Sequence, residues 1–486
     1  MEFPSPVFLY LFLPIALVGY HLAPLLVPGR ARHSVSSGFL FAASVFFYAW
    51  GVREDFRFVY LLLGSMLANY AFARLGERFP RPAILLAVGF NLGVLVWFKF
   101  ANFLTANLSE LWVTTGGQSF ALAKVHLPLA VSFFTFQAVS YVIDVCRRDI
   151  PAERNLLRFG LYVFLFPHLL AGPIVRYADL AGQLRHRPVG LDRFADGCRR
   201  LIVGLAKKLL LADTFAEVAD AAFNTPANEL SASAAWLGVT CYALQIYFDF
   251  GGYTDMAIGL GKLFGFDFAE NFKHPYSAAS VTDFWRRWHI SLSTWFRDYL
   301  YIPLGGNRGG RWKTYRNLLV VFLLCGLWHG AAWTFVLWGL MHGGFLILER
   351  AGFGIVLEKA WAPLRHAYTL LAVLAAWVLF RSSGVEQAAG MYSAMLGLTG
   401  GTTVAADIWN PKLLVALPVG LLACLPVVPW LLAKKDSLTK RLPELQAAVL
   451  EAVAQPVGVL ALAALLVGIS VQVVASSYTP FIYFKF

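Results

Sequence analysis

The chain has 486 residues, of which 58% are hydrophobic and only 14% are charged. A soluble domain carries about 25% charged residues, so this composition excludes an ordinary soluble enzyme and indicates a membrane protein. The formal net charge is +12, but the basic residues collect in particular loops. That distribution is typical of cytoplasmic loops in membrane proteins, and it does not indicate binding to nucleic acid.

Apolar runs of roughly 17 to 25 residues recur along the chain, and each is long enough to cross a hydrocarbon core of about 30 Å. They predict an all-α, polytopic protein of the lipid bilayer with about ten or eleven transmembrane helices. The runs begin near residues 7, 35, 57, 81, 127, 155, 234, 318, 365, 410 and 456. Their spacing leaves no room for a soluble domain, so residues 1–486 are predicted to form a single membrane-embedded unit.

The charges of the loops predict the orientation of the chain, because cytoplasmic loops are enriched in lysine and arginine. Arg30 and Arg32 follow the first apolar run, and three more arginines lie at 74–81 after the third. Both loops are predicted to be cytoplasmic, which places the N-terminus outside. Residues 213–236 carry four acidic and no basic residues and are predicted to be external. Residues 253–317 carry nine basic residues and are predicted to be cytoplasmic.

A short apolar stretch between two basic loops, at 147–158 and 176–200, predicts a re-entrant segment rather than a full crossing. Both flanks carry the charge of cytoplasmic loops, and the stretch ends in FPHLLAGP. Pro167, Gly172 and Pro173 are expected to make the turn. Such irregular backbone is tolerated at membrane depth only where it packs in protein or lines a cavity.

The apolar run at 318–340 has 23 residues with His329 at its centre. As one continuous helix it would place the imidazole near the middle of the bilayer, where an ionisable side chain is costly and indicates a function. Gly326 and Gly330 form a GxxxG pair that lets a second helix approach closely. The alternative is a structural histidine that is hydrogen-bonded between packed helices.

Two residues near His329 are weaker candidates. His342 lies thirteen residues further on, so a continuous helix would separate the two rings by about 20 Å and place His342 near the outer interface. Cys325 lies four residues before His329 on the same helical face, and a cysteine–histidine nucleophile pair is conceivable. A cysteine in a membrane helix more often packs as a small apolar residue.

The segment SVTDFWRRWHISLSTWFRDYL, residues 280–300, predicts an amphipathic helix at the cytoplasmic interface. Ser280 followed by Asp283 resembles a capping box, and Trp285 and His289 fall within one aromatic arc of the helical wheel. The arc is expected to face either protein or lipid. An interfacial anchor explains the tryptophans but not a histidine that needs a polar partner, so functional and structural roles for His289 both stay open.

The loop YIPLGGNRGGRWKTYRN, residues 301–317, combines glycines with basic side chains that include Arg308 and Arg311. Such a loop is suited to binding phosphates, such as those of coenzyme A. Alternatively, its charges only mark the cytoplasmic end of the next helix. Asp249 and Asp255 lie in the preceding apolar run, in YFDFGGYTDMA. Three roles stay open for them: to line a polar cavity, to orient a histidine or to stabilise a helix end.

Five blocks of sequence resemble the membrane-bound O-acyltransferase (MBOAT) family. They are LPLAVSFFTFQAVSYVIDV (127–145), FPHLLAGPIVRY (166–177), IYFDFGGYTDMAIGLGKLFGF (246–266), FWRRWHISLSTWFRDYLYIPLGGNRGG (284–310) and LLCGLWHGAAWTFVLWG (323–339). The chain is similar to the bacterial branch that acetylates exported polysaccharides such as alginate, over about residues 7–350. Residues 351–486 show only further apolar runs, which are predicted to be additional transmembrane helices.

The resemblance implies a fold and the roles of several residues. The fold is that of the MBOAT family, with re-entrant and interfacial helices beside the transmembrane ones. His329 matches the essential catalytic histidine, and His289 matches the second characteristic polar position. The candidates for substrate binding are Arg308, Arg311, Trp285 and Asp249.

The resemblance also implies the chemistry and the location, which is a bacterial inner membrane. Neutral His329 would act as a general base toward an acceptor hydroxyl, which attacks the carbonyl of a cytosolic thioester such as acetyl-coenzyme A. His289 would donate to the oxyanion or position the thioester. The acceptor is the exported polysaccharide or a periplasmic partner protein that relays the acyl group. No bound cofactor and no metal site are expected, and the five cysteines are scattered.

Two other functions stay open. One is the transfer of D-alanyl or another acyl group to a cell-envelope polymer, because exporters of D-alanine onto teichoic acids share the histidine blocks. The block LGGNRGG favours polysaccharide acetylation over that alternative. The other is a transporter or flippase for a lipid-linked sugar, with the histidines as a proton relay. Transporters commonly show paired halves with broken helices, and the sequence shows no such pairing.

Overall fold

The structure is a computed structural model that describes residues 2–170, 172–188, 190–475 and 481. Across these residues the chain is helical and has no β-strand, apart from one isolated bridge between Leu230 and Thr403. Ala171, in the predicted re-entrant segment, and the side chain of Arg30, in the first basic loop, lie outside this description. The all-α class predicted from the apolar runs is confirmed.

The helices follow one another with short connections. Helices α1 to α10 are Leu13–Leu22, Gly29–Gly51, Arg57–Gly76, Pro80–Thr114, Val131–Arg147, Leu156–Phe164, Phe166–Leu169, Tyr177–Arg185, Leu191–Ala206 and Asp213–Asn224. Helices α11 to α21 are Ala232–Leu263, Val281–Arg287, Ile290–Phe296, Arg311–His329, Trp333–Leu348, Gly354–Lys359, Ala362–Arg381, Val385–Met395, Leu413–Ala423, Val427–Thr439 and Glu444–Ala475. Wider π-helical turns lie at Phe8–Phe12, Lys207–Ala212, Arg297–Tyr301 and Glu349–Phe353, and tighter 3₁₀ turns at Ala23–Leu26 and Pro275–Ser277.

In the described part of the chain, seven helical stretches are long and apolar enough to cross a membrane, or eight if α19 and α20, which are bent by 60°, form one span. The seven are Phe8–Leu26, Ala31–Gly51, Arg57–Gly76, Pro80–Thr114, Trp333–Lys359, Ala362–Arg381 and Glu444–Ala475. The polytopic class is confirmed, but the predicted ten or eleven spans exceed this number. The runs near residues 127 and 155 form helices of only 17 and 9 residues, and the run near 318 belongs to a helix that begins with basic side chains.

Helix α11 forms the centre of the protein, and it is buried over most of its 32 residues. Glycines let α9 pack against it at backbone distance. A methyl group at Gly204 would lie 2.7 Å from the carbonyl oxygen of Gly252, and one at Gly259 would lie 2.8 Å from that of Gly197. Small residues at helix contacts are typical of membrane proteins, and here they let α9 and α11 pack at backbone distance.

The predicted re-entrant segment is divided into short helices. α6 has nine residues and α7 has four, too few for a crossing of about 30 Å. Glu153, before α6, accepts a hydrogen bond from the hydroxyl of Tyr177 at 2.6 Å. The two ends of the segment therefore lie side by side. Arg176 then donates to Asp298 at 2.7 Å. Burial acts to raise the pKa of Asp298, but hydrogen bonds from Arg297 and Arg176 hold that pKa below its ordinary value.

The prediction of one continuous helix at 318–340 is wrong. Three residues separate α14, which ends at His329, from α15, which begins at Trp333. α15 packs back along α14, since a methyl group at Gly326 would collide with the carbonyl oxygen of Phe335. The GxxxG pair does admit a close helix, but that helix is the next one in the chain. Hydropathy misses this turn because its three residues are small and apolar.

The predicted helix at 280–300 is broken in its middle. Ser280 caps α12 as predicted, because its Oγ accepts a hydrogen bond from the N–H of Asp283 at 2.9 Å. Trp288 and His289 separate α12 from α13, and the backbone of His289 is left-handed, with φ 44°. Trp288 is buried inside the protein, so the aromatic arc faces protein.

Candidate active site

His329 is the last residue of α14, and aromatic side chains enclose its ring. The ring centroids of Trp338 and Phe380 lie 5.0 and 5.1 Å from that of the imidazole. Only 4% of His329 is exposed. Helix α14 has 19 residues and is therefore about 28 Å long. Measured along the helix axis, His329 is thus about 28 Å from the basic N-terminal end of α14.

His289 is also enclosed by aromatic rings and is fully buried. Its imidazole centroid lies 4.7 Å from the ring of Phe250, in an edge-to-face arrangement. The backbone of His289 has φ 44° and ψ 54°, a left-handed conformation that costs a residue with a side chain roughly 1–3 kcal/mol. Residues held in this way are concentrated at functional sites.

The amide of Asn271 holds the imidazole of His289 in place. Its Oδ1 accepts hydrogen bonds from the N–H and the hydroxyl of Ser291, at 3.0 and 2.9 Å, and it lies 3.3 Å from Nδ1 of His289. An oxygen only accepts, so in the neutral ring Nδ1 carries the proton and Nε2 is an acceptor. Nε2 has no hydrogen-bond partner among the described residues.

Trp328 neighbours both predicted catalytic histidines. Its ring centroid is 4.9 Å from that of His329 and 6.1 Å from that of His289. The ionisable side chains near His329 include His289, Lys99 and His342. The fold therefore brings together two histidines that are forty residues apart in the sequence.

The prediction that His342 lies far from His329 is wrong, because it assumed a continuous helix. The hairpin of α14 and α15 places Trp338 between the two rings, with its centroid 5.0 Å from His329 and 4.8 Å from His342. Trp285, which was predicted to bind substrate, donates from Nε1 to Nδ1 of His342 at 3.2 Å. Trp285 is also buried, and its contact with substrate stays a prediction.

Three polar residues, two of them at the site and one in the re-entrant segment, escape sequence analysis. Lys99 donates from Nζ to the carbonyl oxygen of His329 at 3.0 Å. His168, in the re-entrant segment, is fully buried and accepts at Nδ1 from the amide of Gln137 at 3.0 Å. Asn271 is the third. Lys99 and His168 could have been found as ionisable residues inside apolar runs. Asn271 lies in the loop between α11 and α12, where no such pattern indicates it.

Asp249, which was predicted to bind substrate, forms a buried ion pair. Its Oδ1 lies 2.9 Å from Nζ of Lys208, and both side chains are 2% exposed. Lys208 also pairs with Asp213 at 2.8 Å. Buried charges are tolerated when they are paired, so the ion pair explains a carboxylate at this depth and favours the structural role for Asp249.

A cationic cavity of about 660 Å³ opens beside α9 and α11. Asp255 lines it and pairs with Arg200 and Lys207, at 2.6 Å in both cases. Further basic side chains outnumber the acidic ones in its lining; they are Arg199, Lys262, Lys273 and Arg287. This cavity is suited to an anionic group, and its lining comes mainly from segments predicted to be cytoplasmic.

Glycines shape the loop that carries Arg308 and Arg311. Four of them have positive φ values of 104°, 54°, 94° and 92°, at Gly305, Gly306, Gly309 and Gly310. Side chains disfavour these conformations, so the motif LGGNRGG specifies the path of the backbone. The amide of Asn317 donates to the carbonyl oxygens of Leu304 and Gly306 and fixes the loop to α14. Arg308 and Arg311 are both exposed.

A second cavity, of about 470 Å³, adjoins the turn between α14 and α15. Its lining includes Asp220 and Arg381, which form an ion pair of 2.6 Å, and the buried side chains of Gln245 and Thr334. Oε1 of Gln245 and Oγ1 of Thr334 have no hydrogen-bond partner among the described residues. Lys99 lines this cavity and also a pocket of about 50 Å³ that reaches His329.

Comparison with known proteins identifies the family of the chain. Residues 90–385 match the model of the membrane-bound O-acyltransferase family. A Pseudomonas putida protein named "Probable alginate O-acetylase AlgI" is 47% identical, over 81% of this chain and 80% of the relative. The peptidoglycan O-acetyltransferase of Helicobacter pylori is 36% identical, over 82% and 80%. The teichoic acid D-alanyltransferase of Bacillus subtilis is 26% identical, over 57% and 74%.

Proposed function

The chain belongs to the membrane-bound O-acyltransferase family, and from this premise we propose that it moves an acetyl group from a cytosolic thioester toward an exported polysaccharide such as alginate. It is an O-acyltransferase and a multi-pass membrane protein. The observation that carries the proposal is the pair of buried histidines, His289 and His329, which both neighbour Trp328. Burying two ionisable rings is costly, and their role in the chemistry accounts for that cost.

In the proposed reaction His329 is the general base. Its neutral imidazole accepts the proton of the acceptor hydroxyl while the oxygen attacks the thioester carbonyl. A new carbon–oxygen bond forms, the tetrahedral oxyanion collapses, and the carbon–sulfur bond breaks. The leaving thiolate takes the proton back from the imidazolium, so His329 returns to its neutral state. The dry aromatic enclosure strengthens every electrostatic interaction within it.

His289 is proposed to position the thioester rather than to donate to the oxyanion. Its Nδ1–H is committed to Asn271, so the neutral ring offers only an acceptor at Nε2. An acceptor orients a donor group, such as an amide N–H of a pantetheine arm, and it cannot stabilise negative charge. Oxyanion stabilisation is therefore left to other donors, such as backbone N–H groups.

The donor is proposed to be acetyl-coenzyme A, which approaches from the cytosol. Arg308 and Arg311 remain the proposed phosphate ligands, because both are exposed on a loop whose path is set by glycines and guanidinium groups bind phosphate strongly. The cationic cavity beside Asp255 supports a cytosolic polyanion as well. No bound cofactor enters this proposal.

The acceptor is proposed to reach His329 through the 470 Å³ cavity. Asp220, in the segment predicted to be external, lines it. Gln245 and Thr334 offer a hydroxyl group polar atoms that have no hydrogen-bond partner in the described part of the chain. A cavity of this volume suits a small ligand. It therefore fits one side chain of a periplasmic acetyltransferase partner better than an extended polymer, and we favour relay through such a partner over direct transfer.

The proposed location is the bacterial inner membrane, with the N-terminus outside. This orientation puts the loop with Arg308 on the side where thioester donors are made. It also puts Asp220 on the side to which polysaccharide is exported. The loop charges support both assignments.

Hydrolysis of the donor in the absence of acceptor tests the proposed function. The purified protein in proteoliposomes should slowly release free thiol from acetyl-coenzyme A, because water replaces the acceptor hydroxyl. The release should be faster than from a D-alanyl thioester. The His329→Gln variant, which is the matched control, should not exceed the background rate.

A folded wild-type protein that releases no thiol would favour the transporter alternative instead. Faster turnover of the D-alanyl thioester would favour transfer of D-alanine to an envelope polymer. Thiol release is measured directly with a chromogenic disulfide, and the folded state is followed by size-exclusion chromatography.

A further inference from the structure

Lys99 is an ionisable residue inside an apolar helix, and the proposed reaction gives it no role. It lies in α4, a candidate membrane span of 35 residues, and it is the only charged residue in GFNLGVLVWFKFANF, residues 89–103. An ammonium group at such a position is costly and therefore indicates a function. Its neighbours in the fold indicate what that function is.

The ammonium of Lys99 binds the end of the helix that carries His329. Nζ donates to the carbonyl oxygen of His329 at 3.0 Å and to that of Trp328. These carbonyls belong to the last turn of α14, where no helical N–H is available to them. A cation at a helix C-terminus is also favoured by the helix dipole. Lys99 further lies 3.5 Å from the hydroxyl of Ser132.

The charge of Lys99 is not neutralised by any of these contacts. All three described partners are neutral oxygen atoms, and none is a carboxylate. His289 and His342 also lie near His329, and they carry no charge in the neutral state. Three oxygen atoms around Nζ match the three N–H donors of an ammonium, and an ammonium disfavours a second positive charge nearby.

We propose that Lys99 is a positioning residue for His329. Its ammonium fixes the end of α14 from which the imidazole projects, and it keeps that imidazole neutral, which is the state that accepts a proton. This inference rests on the proposed role of His329 as general base. Lys99 also lines the 470 Å³ cavity and the pocket that reaches His329, so it lies where the acceptor is proposed to enter.

Substitutions at Lys99 separate its two actions. Lys99→Met removes both the hydrogen bonds and the charge, Lys99→Gln keeps a donor without charge, and Lys99→Arg keeps the charge. For Lys99→Met we expect kcat to fall about tenfold to a hundredfold, with the KM for acetyl-coenzyme A unchanged. The acidic limb of the pH–rate profile should move to higher pH in Lys99→Met and Lys99→Gln, because the charge that disfavours protonation of His329 has been removed. Lys99→Arg should stay close to wild type.

Lys124→Met is the matched control, because Lys124 is exposed and should leave both readouts unchanged. A lysine that only stabilises the fold would lower the yield of folded protein without moving the acidic limb. An unchanged acidic limb in folded Lys99→Met overturns the inference, and if that variant does not fold, folded Lys99→Gln decides by the same criterion. His329→Gln is assayed in parallel. If His329→Gln stays active, the proposed function fails. If His329→Gln is inactive while the Lys99 variants behave like wild type, only the role of Lys99 fails.

Discussion

His289 combines a strained backbone with a ring that is held by a single amide. The N–H of Ile290 donates to the backbone carbonyl of Asn271 at 3.0 Å, and the side-chain oxygen of Asn271 faces Nδ1 of His289. Both contacts stabilise the left-handed turn. A glycine would adopt this turn without strain, so the presence of a histidine favours a role for its ring.

Substitution of His329 by glutamine should reduce acetyl transfer by about 10²- to 10⁴-fold. Glutamine keeps much of the hydrogen-bonding shape of histidine, but it does not accept a proton near neutral pH. The variant should still insert in the membrane and elute as a monodisperse species. Initial rates of acetyl transfer on purified protein provide the measurement.

His21→Gln is a suitable control, because His21 contacts the carbonyl oxygen of Leu263 at 3.3 Å and takes no part in the proposed reaction. Its activity should match wild type. If His329→Gln keeps more than about a tenth of wild-type turnover, the general-base assignment is wrong. A structural histidine would instead show itself in His329→Ala as poor folding with partly retained specific activity.

Among the helices, the hairpin of α14 and α15 decides which side chains meet. It places Trp338 against both His329 and His342. The separation of the two helices is set by glycine, since a methyl group at Gly339 would collide with the carbonyl oxygen of Phe322. The helix pair is therefore held at backbone contact, and the imidazole of His329 has little freedom to move.

The loop before α14 provides a prediction about the donor. Replacing Arg308 and Arg311 by glutamine should raise the KM for acetyl-coenzyme A, because two phosphate ligands are removed. The effect should shrink at high salt, where charges on an exposed loop are screened. Donor saturation curves at two ionic strengths provide the measurement, and thermal stability should not change.

The matched control replaces Arg78 and Arg81 by glutamine, which makes the same charge change in another exposed loop predicted to be cytoplasmic. That double variant should keep the wild-type KM. An unchanged KM in the Arg308 and Arg311 double variant would leave this loop with a topological role only. In that case the cationic cavity beside Asp255 becomes the candidate for the phosphates.

For the whole molecule, the proposed reaction depends on which side of the membrane each cavity faces. The cationic cavity is lined by residues such as Lys273 and Arg287, from the segment predicted to be cytoplasmic. The second cavity is lined by Asp220, from the segment predicted to be external. In the proposed reaction, the cytosolic thioester and a side chain of the periplasmic partner therefore reach His329 from opposite sides.

Cysteine labelling in intact cells tests this orientation. In a background without the five native cysteines, a cysteine at Asn307 should react with an impermeant maleimide only after the cells are opened. A cysteine at Asn228 should react in intact cells, and it serves as the matched control. Both positions are exposed, so differences in reactivity report the side of the membrane. Labelling at Asn307 from outside would contradict the predicted topology.

The sequence by itself determined the membrane class and the family, and it indicated His289 and His329 as candidate catalytic residues. Composition and long apolar runs are enough for the class, because a span of about 20 apolar residues has few other uses. The blocks around His289 and His329 are long, so they identify the family without coordinates. The capping of α12 by Ser280 could also be predicted, because it depends on a residue only three positions away.

Only the tertiary structure decided how these residues meet. The turn after His329 is made of small apolar residues that hydropathy cannot distinguish from a helix, so the proximity of His342 was not predictable. The partners of the two histidines are equally remote, since Lys99 and His329 lie 230 positions apart. Such contacts depend on how helices pack against one another, and local patterns in a sequence carry no information about packing between distant segments.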